Sequence, residues 1–297
     1  MTVVTEHSPD LTAAGGMLLP RADMCFPFGE AKFRLPRDAA LLSWVFDQFL
    51  YGEVTGIQCG HWLYRAPSLE AATFFARQAV EELSHVRSIM KIYDLLGTRP
   101  SPAHPVLRLM TSMGADYAEH VALEMAVGEG LVLQVFYALI DTIDHPGIVR
   151  ILEAAVKQEE RHVAFGERQT MALLATDPGL RRRLLGLSLM SLEAMQRLGG
   201  WIKRRLGDGH EVLSQVEPFL GSLVQNTEKR LQRIGVLDRP LASLSLPAKA
   251  LLIGEAQLRH LAVSLRPAPK LLTANYLADP ALAALMAEGR GTAEVVR

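Results

Sequence analysis

Glu82-Leu83-Ser84-His85 and Glu159-Glu160-Arg161-His162 repeat one pattern, Glu-x-x-His, and each follows an isolated glutamate at nearly the same interval. Glu53 lies 29 residues before Glu82, and Glu129 lies 30 residues before Glu159. Positions i and i+3 of a helix share a face, so each tetrapeptide can present a carboxylate and an imidazole to one ion. Four carboxylates and two imidazoles in this doubled arrangement form the ligand set of a carboxylate-bridged dinuclear metal site inside a four-helix bundle.

The turns agree with that spacing. For Glu53 to meet Glu82 across an antiparallel hairpin, the chain must reverse midway, where it reads Arg65-Ala66-Pro67-Ser68, a helix stop and an N-cap. The midpoint between Glu129 and Glu159 falls in Asp144-His145-Pro146-Gly147. Both hairpins then carry their ligands about 14 residues from the turn, ~21 Å at 1.5 Å per residue. The expected assignment gives Glu53 and His85 to one ion and Glu129 and His162 to the other, with Glu82 and Glu159 bridging. All six lie on stripes of Phe, Leu, Ile and Ala, a poor place for glutamates that merely face solvent.

Working outward, four helices are expected to carry the site, at about 36–65, 68–96, 115–143 and 146–175. The segment 98–114, with Pro100, Pro102 and Pro105, is long enough to cross the length of a bundle. Further helices are expected at about 179–206, 211–235 and 247–265. The fold class is therefore all-α, with residues 1–35 an arm that is loose or packs on a partner, 36–176 the bundle, and 177–297 a helical extension packing on it.

Composition narrows the function. Hydrophobic residues make up 49% and aromatics 6%, which suits a large helical core. A net charge of −1 gives no electrostatic footprint for nucleic acid, and Arg181-Arg182-Arg183 and Lys203-Arg204-Arg205 are expected on solvated helix ends. Cys25 and Cys59 stand far apart, which excludes a disulfide framework or a Cys-bound iron centre on this chain and suits the cytoplasm. No secretory signal is evident at the N-terminus. Val121 to Ile140 is apolar enough to raise the question of a membrane, but Glu124, Glu129 and Gln134 within it favour a buried helix.

Several neighbours of the ligands have more than one reading. Glu81 and Gln158, each directly before a bridging glutamate, either hydrogen-bond the ligand histidines or lie on a solvated face. Gly52, Gly56, Gly60, Gly128, Gly130 and Gly166 imply room for a substrate, bulged helices, or tight helix contact. Glu124 should point away from Glu129. His61, His120, His145 and His260 lack partners at ligand spacing, and Tyr51, Tyr64, Tyr93 and Tyr137 are expected to pack rather than to carry redox chemistry. No catalytic residue beyond the metal centre stands out.

On Glu53, Glu82-x-x-His85, Glu129 and Glu159-x-x-His162, residues 40–175 resemble the ferritin-like diiron-carboxylate superfamily. Glu160-Arg161-His162-Val163-Ala164-Phe165-Gly166 is similar to the fourth-helix segment of its oxygenase and oxidase branch, which includes ribonucleotide reductase small subunits and diiron oxygenases. Arylamine N-oxygenases carry a further histidine at the place of Ala155, which sets that activity aside. The resemblance implies two iron ions, or a manganese–iron pair, with O2 as co-substrate and a small organic substrate. It also implies an external electron donor, a reductase or ferredoxin, and a homodimer is expected. The alternatives are a ferroxidase or peroxide-scavenging protein, and a non-catalytic helical interaction protein.

Overall fold

The computed structural model describes residues 16–24, 26, 30–105, 114–206 and 209–265, with positions 280, 281 and 284. Expectations for residues 1–15, Cys25, the 106–113 part of the crossover, Gly207-Asp208 and nearly everything beyond 265 lie outside the described residues. Helices dominate; the described residues contain no strand, only an isolated parallel bridge between Phe33 and Ile143.

Helix α1 (Ala39–Gly56) runs on into 3₁₀ turns at Ile57–Tyr64. The single helix expected over 36–65 therefore tightens its pitch at Gly56, where Gly56 and Gly60 weaken the α form. Helix α2 (Leu69–Leu96) starts where Ser68 Oγ accepts a hydrogen bond from Ala71 N at 3.2 Å. It stops at Gly97, whose φ of +65° suits a residue without Cβ.

Helix α3 (Tyr117–Thr142) is capped by Asp116, whose Oδ1 accepts from Glu119 N at 3.0 Å. Its stretch His120–Glu129 is π-helical, the bulged form that was one of the readings left open for Gly128 and Gly130. Gly128 permits it: a Cβ there would stand 2.9 Å from the carbonyl oxygen of Leu123, five residues back, toward which the π register turns it. Helix α4 (Pro146–Thr176) begins with a proline, and His145 Nδ1 accepts from Ile148 N at 3.3 Å. Helices α5 (Leu180–Leu206), α6 (Leu213–Arg233) and α7 (Leu246–Ser264) follow.

Packing brings the ligand-bearing helices together: α1 lies against α2, α2 against α4, and both the π stretch and the rest of α3 against α4. Helices α3 and α4 are in tight contact at Gly166, where a Cβ would meet Val121 O and Ala126 N at 2.7 Å. Phe46, Phe49, Ile89, Phe136 and Leu152 fill one end of this assembly, and Trp62, Phe75, Met125 and Phe165 the other. Each such side chain stabilises the fold by about 1.5–3 kcal/mol on burial. Helix α5 packs on α6, α7 and the π stretch, and α6 on α3.

Two expectations need correction. The described part of the N-terminal arm packs on its own chain: Leu18 N donates to Glu167 Oε2 at 2.7 Å, and Phe33 N to Thr142 O at 2.8 Å. It satisfies polar groups that would otherwise be left unpaired on α4 and at the end of α3. Among the basic clusters, Arg183 is buried and paired with Asp116 at 2.7 Å, not solvated, because it neutralises the acidic start of α3. Helix α3 is long and apolar enough to cross a membrane by length and composition, and most of its apolar window is buried inside the protein.

Candidate metal centre

Glu53 sits in the last turn of α1, Glu82 and His85 midway along α2, Glu129 at the end of the π stretch, and Glu159 and His162 midway along α4. The fold brings all six into one cluster. His85 Nδ1 lies 3.0 Å from Glu159 Oε1, 3.1 Å from Glu53 Oε2 and 3.6 Å from Glu82 Oε2. His162 Nδ1 lies 3.4 Å from Glu82 Oε1, 3.6 Å from Glu159 Oε2 and 3.8 Å from Glu129 Oε2. Glu82 and Glu159 thus turn one oxygen toward each imidazole, whereas Glu53 faces His85 and Glu129 faces His162. Five of the side chains are essentially sealed from solvent; Glu129, at 20% exposure, is the exception.

A metal fits this donor set. His162 Nδ1 and Glu129 Oε2 are buried and have no hydrogen-bond partner, so the site contains lone pairs aimed inward with nothing to receive them. Carboxylate oxygens with imidazole nitrogens suit divalent transition metals. Two groups can each hold an ion, Glu53, Glu82, His85 and Glu159, and Glu82, Glu129 and His162.

The electrostatics show what cations would relieve. Burial pushes the Glu53 and Glu129 carboxyls well up from the usual range, and the nearby Glu159 and Glu82 charges add to it. Burial opposes ionisation of Glu159 too, but the His162 and His85 imidazoles beside it hold its carboxyl at about 2. Both imidazoles are held above their ordinary value against the effect of burial, chiefly by Glu159, with Glu53 bonding His85 and Glu81 bonding His162. Without metal the cluster balances its charge with protons, which bound cations would displace.

Around the ligands, Gln158 Oε1 lies 2.7 Å from His85 Nε2, and Glu81 Oε2 lies 2.8 Å from His162 Nε2. Of the two readings open for this pair, contact with the histidines is the one the fold realises. Arg77 Nε and Arg161 donate to Glu81 Oε1 at 2.9 and 2.7 Å. Although burial opposes it, these bonds and the one from His162 hold the Glu81 carboxyl at about 2. Gln78 was not foreseen: its Nε2 donates to Glu129 Oε1 at 2.8 Å, and its Oε1 is buried without a partner. Its place four residues before Glu82, on the same helix face, was the available signal.

The glycines resolve individually. Gly56 leaves room for the Glu82 carboxylate, 3.0 Å from where a Cβ would be, and Gly166 for helix contact. Glu124 does point away, accepting from Gly114 N and pairing with His120 Nδ1 at 2.8 Å. His145 caps α4, His260 pairs with Glu119 at 2.7 Å, and His61 stands edge-on to Trp62. Tyr93 and Tyr137 donate to Asp47 and Glu160, both at 2.6 Å, and Tyr64 is exposed.

Fold and site together define an all-helical protein with a buried glutamate–histidine cluster able to hold a metal ion. No family model matches the chain, and no curated protein or solved structure is detectably similar to it. Its individual mark is the unlike pair, Glu81 and Gln158, behind two equivalent histidines.

Proposed function

We propose that the chain is a ferritin-like, non-haem diiron oxygenase or oxidase, in which α1–α4 form a four-helix bundle and 98–114 is its crossover. The observation that carries the proposal is the mutual geometry of the six side chains. Two imidazoles offer inward Nδ1 atoms, and two carboxylates are each shared between them. Glu53 and His85 would hold one ion, Glu129 and His162 the other, and Glu82 and Glu159 both. A bound iron pair, or a manganese–iron pair, would supply the electrons that activate O2 for oxidation of a small, largely apolar substrate.

The protein's own contribution is position and exclusion. Gln78 orients Glu129. Phe74, stacked on Phe165 at 3.8 Å and edge-on to His162 at 6.0 Å, keeps water from that imidazole. Glu129, the least buried of the six, marks the side open to small molecules. An external reductase or ferredoxin would supply electrons, in the cytoplasm. A homodimer is part of the same proposal, favoured by the outer face of α7, where Leu251, Leu258, Leu261 and, at the C-cap, Leu265 are 53–74% exposed at coiled-coil spacing. Sedimentation of wild type against Leu258→Glu checks it.

The test of function is anaerobic loading with ferrous ion, then exposure to O2, followed by absorption and Mössbauer spectroscopy. A coupled diferric spectrum at about two irons per chain, with oxygen uptake tied to an organic product, is the expected result. Many irons oxidised per chain without an organic product would replace it with the ferroxidase alternative. Failure to take up iron would end both.

A further inference from the structure

The two halves of the site differ in what stands behind each histidine. Resting on the metal-site proposal above, we infer that Glu81 and Gln158 make the two ion positions unequal, the His162 position binding a divalent ion more tightly than the His85 position.

The orientation of the two rings is the same. Each turns Nε2 outward to an oxygen acceptor, at 2.8 Å for His162 and 2.7 Å for His85. Each Nε2 therefore carries the proton when the ring is neutral, and each Nδ1 lone pair points at the carboxylates. Between the two outer partners, the difference lies in the charge of the acceptor. A carboxylate polarises the N–H bond and makes Nδ1 a stronger donor to a cation, whereas a neutral amide does so weakly. Glu81 cannot turn away, because Arg77 and Arg161 hold its other oxygen. Those two guanidinium side chains are 51% and 32% exposed, so solvent screens their opposing charge more than it screens Glu81, whose side chain is 10% exposed.

Two differences run the other way: Glu53 stands nearer His85, at 3.1 Å, than Glu129 stands to His162, at 3.8 Å, and four donors gather around His85 against three around His162. Glu159 Oε2 lies 3.6 Å from His162 Nδ1, so a small turn of that carboxylate would give each position one terminal and two bridging carboxylates. Losing an outer partner of a ligand histidine typically costs 10–100-fold in metal affinity, and the inference rests on that contrast. The consequence is ordered filling, which lets the chain hold two different metals in defined places.

The experiment is calorimetric titration of the full-length, metal-free chain with Mn2+, and with Co2+ to read the ligand field. His85→Ala isolates the His162 position, and His162→Ala isolates the other. In the His85→Ala background, Glu81→Gln should weaken binding about 10–100-fold. In the His162→Ala background, Glu81→Gln should have no effect, and Gln158→Glu should tighten binding. Circular dichroism checks folding; if Glu81→Gln unfolds the chain, the Gln158→Glu arm decides alone. Equal affinities in the two single-position backgrounds, or a Glu81→Gln effect common to both, would overturn the inference and leave the metal site standing. If the wild-type chain binds neither ion, the site proposal falls with it.

Discussion

A glutamate buried among other glutamates is retained against stability, and Glu53 allows that to be measured. Burial and the nearby Glu159 and Glu82 push its carboxyl up, so at neutral pH it either holds a proton or sits as a repelled charge. Glu53→Gln should raise the stability of the metal-free chain by about 1 kcal/mol in chemical denaturation with chelator present, while lowering its metal stoichiometry. A loss of stability would count against a site built for cations. Asp38 behaves in the opposite sense. Burial disfavours its charge, but hydrogen bonds from Arg37, Arg34 N and His210 hold its carboxyl at about 2. A depressed folded-state pKa adds stability that is complete above about pH 4 and lost as pH falls toward 2. Asp38→Asn should therefore cost about 2 kcal/mol at pH 7, and the gap in thermal melts should close below pH 3. The six cluster residues were legible because Glu-x-x-His has a fixed spacing on one helix face. Gln78 was not, because an amide has many uses in a helix and only its contact with Glu129 singles it out.

At the scale of the element, the π stretch His120–Glu129 matters most, since it sets where Glu129 enters the cluster. Its neighbour Gly166 has no space for a side chain, because backbone atoms of Val121 and Ala126 would lie 2.7 Å from a Cβ. Gly166→Ala should destabilise by about 2–3 kcal/mol in urea denaturation, since backbone cannot yield as a flexible side chain can. Gly52→Ala makes the contrast: nothing lies within 4 Å of its Cβ position in α1, so the change should stabilise by about 0.5–1 kcal/mol. Helix ends were legible to within a few residues at Ser68, Gly97 and Pro146, where cap chemistry is local. Gly128 and Gly130 left a bulged helix open as one reading, but the π register itself and the 3₁₀ turns of Ile57–Tyr64 were not legible. Glycine marks a weak point in a helix, but the neighbour that packs there decides which way it yields.

Across the whole molecule, the C-terminal helices are joined to the site helices by a buried ion pair. Arg230 on α6 donates through Nε to Glu167 on α4 at 2.9 Å, both fully buried, and its guanidinium fills the place of a side chain at Gly130. Arg230→Ala would leave Glu167 charged and buried, and should cost about 3–5 kcal/mol in denaturant unfolding, with Arg230→Met as the comparison. Nothing in the sequence pairs position 230 with 167, because ion pairs across helices carry no periodicity. What the sequence determined by itself was the all-helical class, the hairpin turns and the six-residue cluster, since each follows from local spacing along a helix. Only the tertiary structure decided which histidine is backed by a charge, which glycine admits a neighbour, and how the arm and α5–α7 attach. Those outcomes depend on which surfaces meet, and residues far apart in the chain set them together.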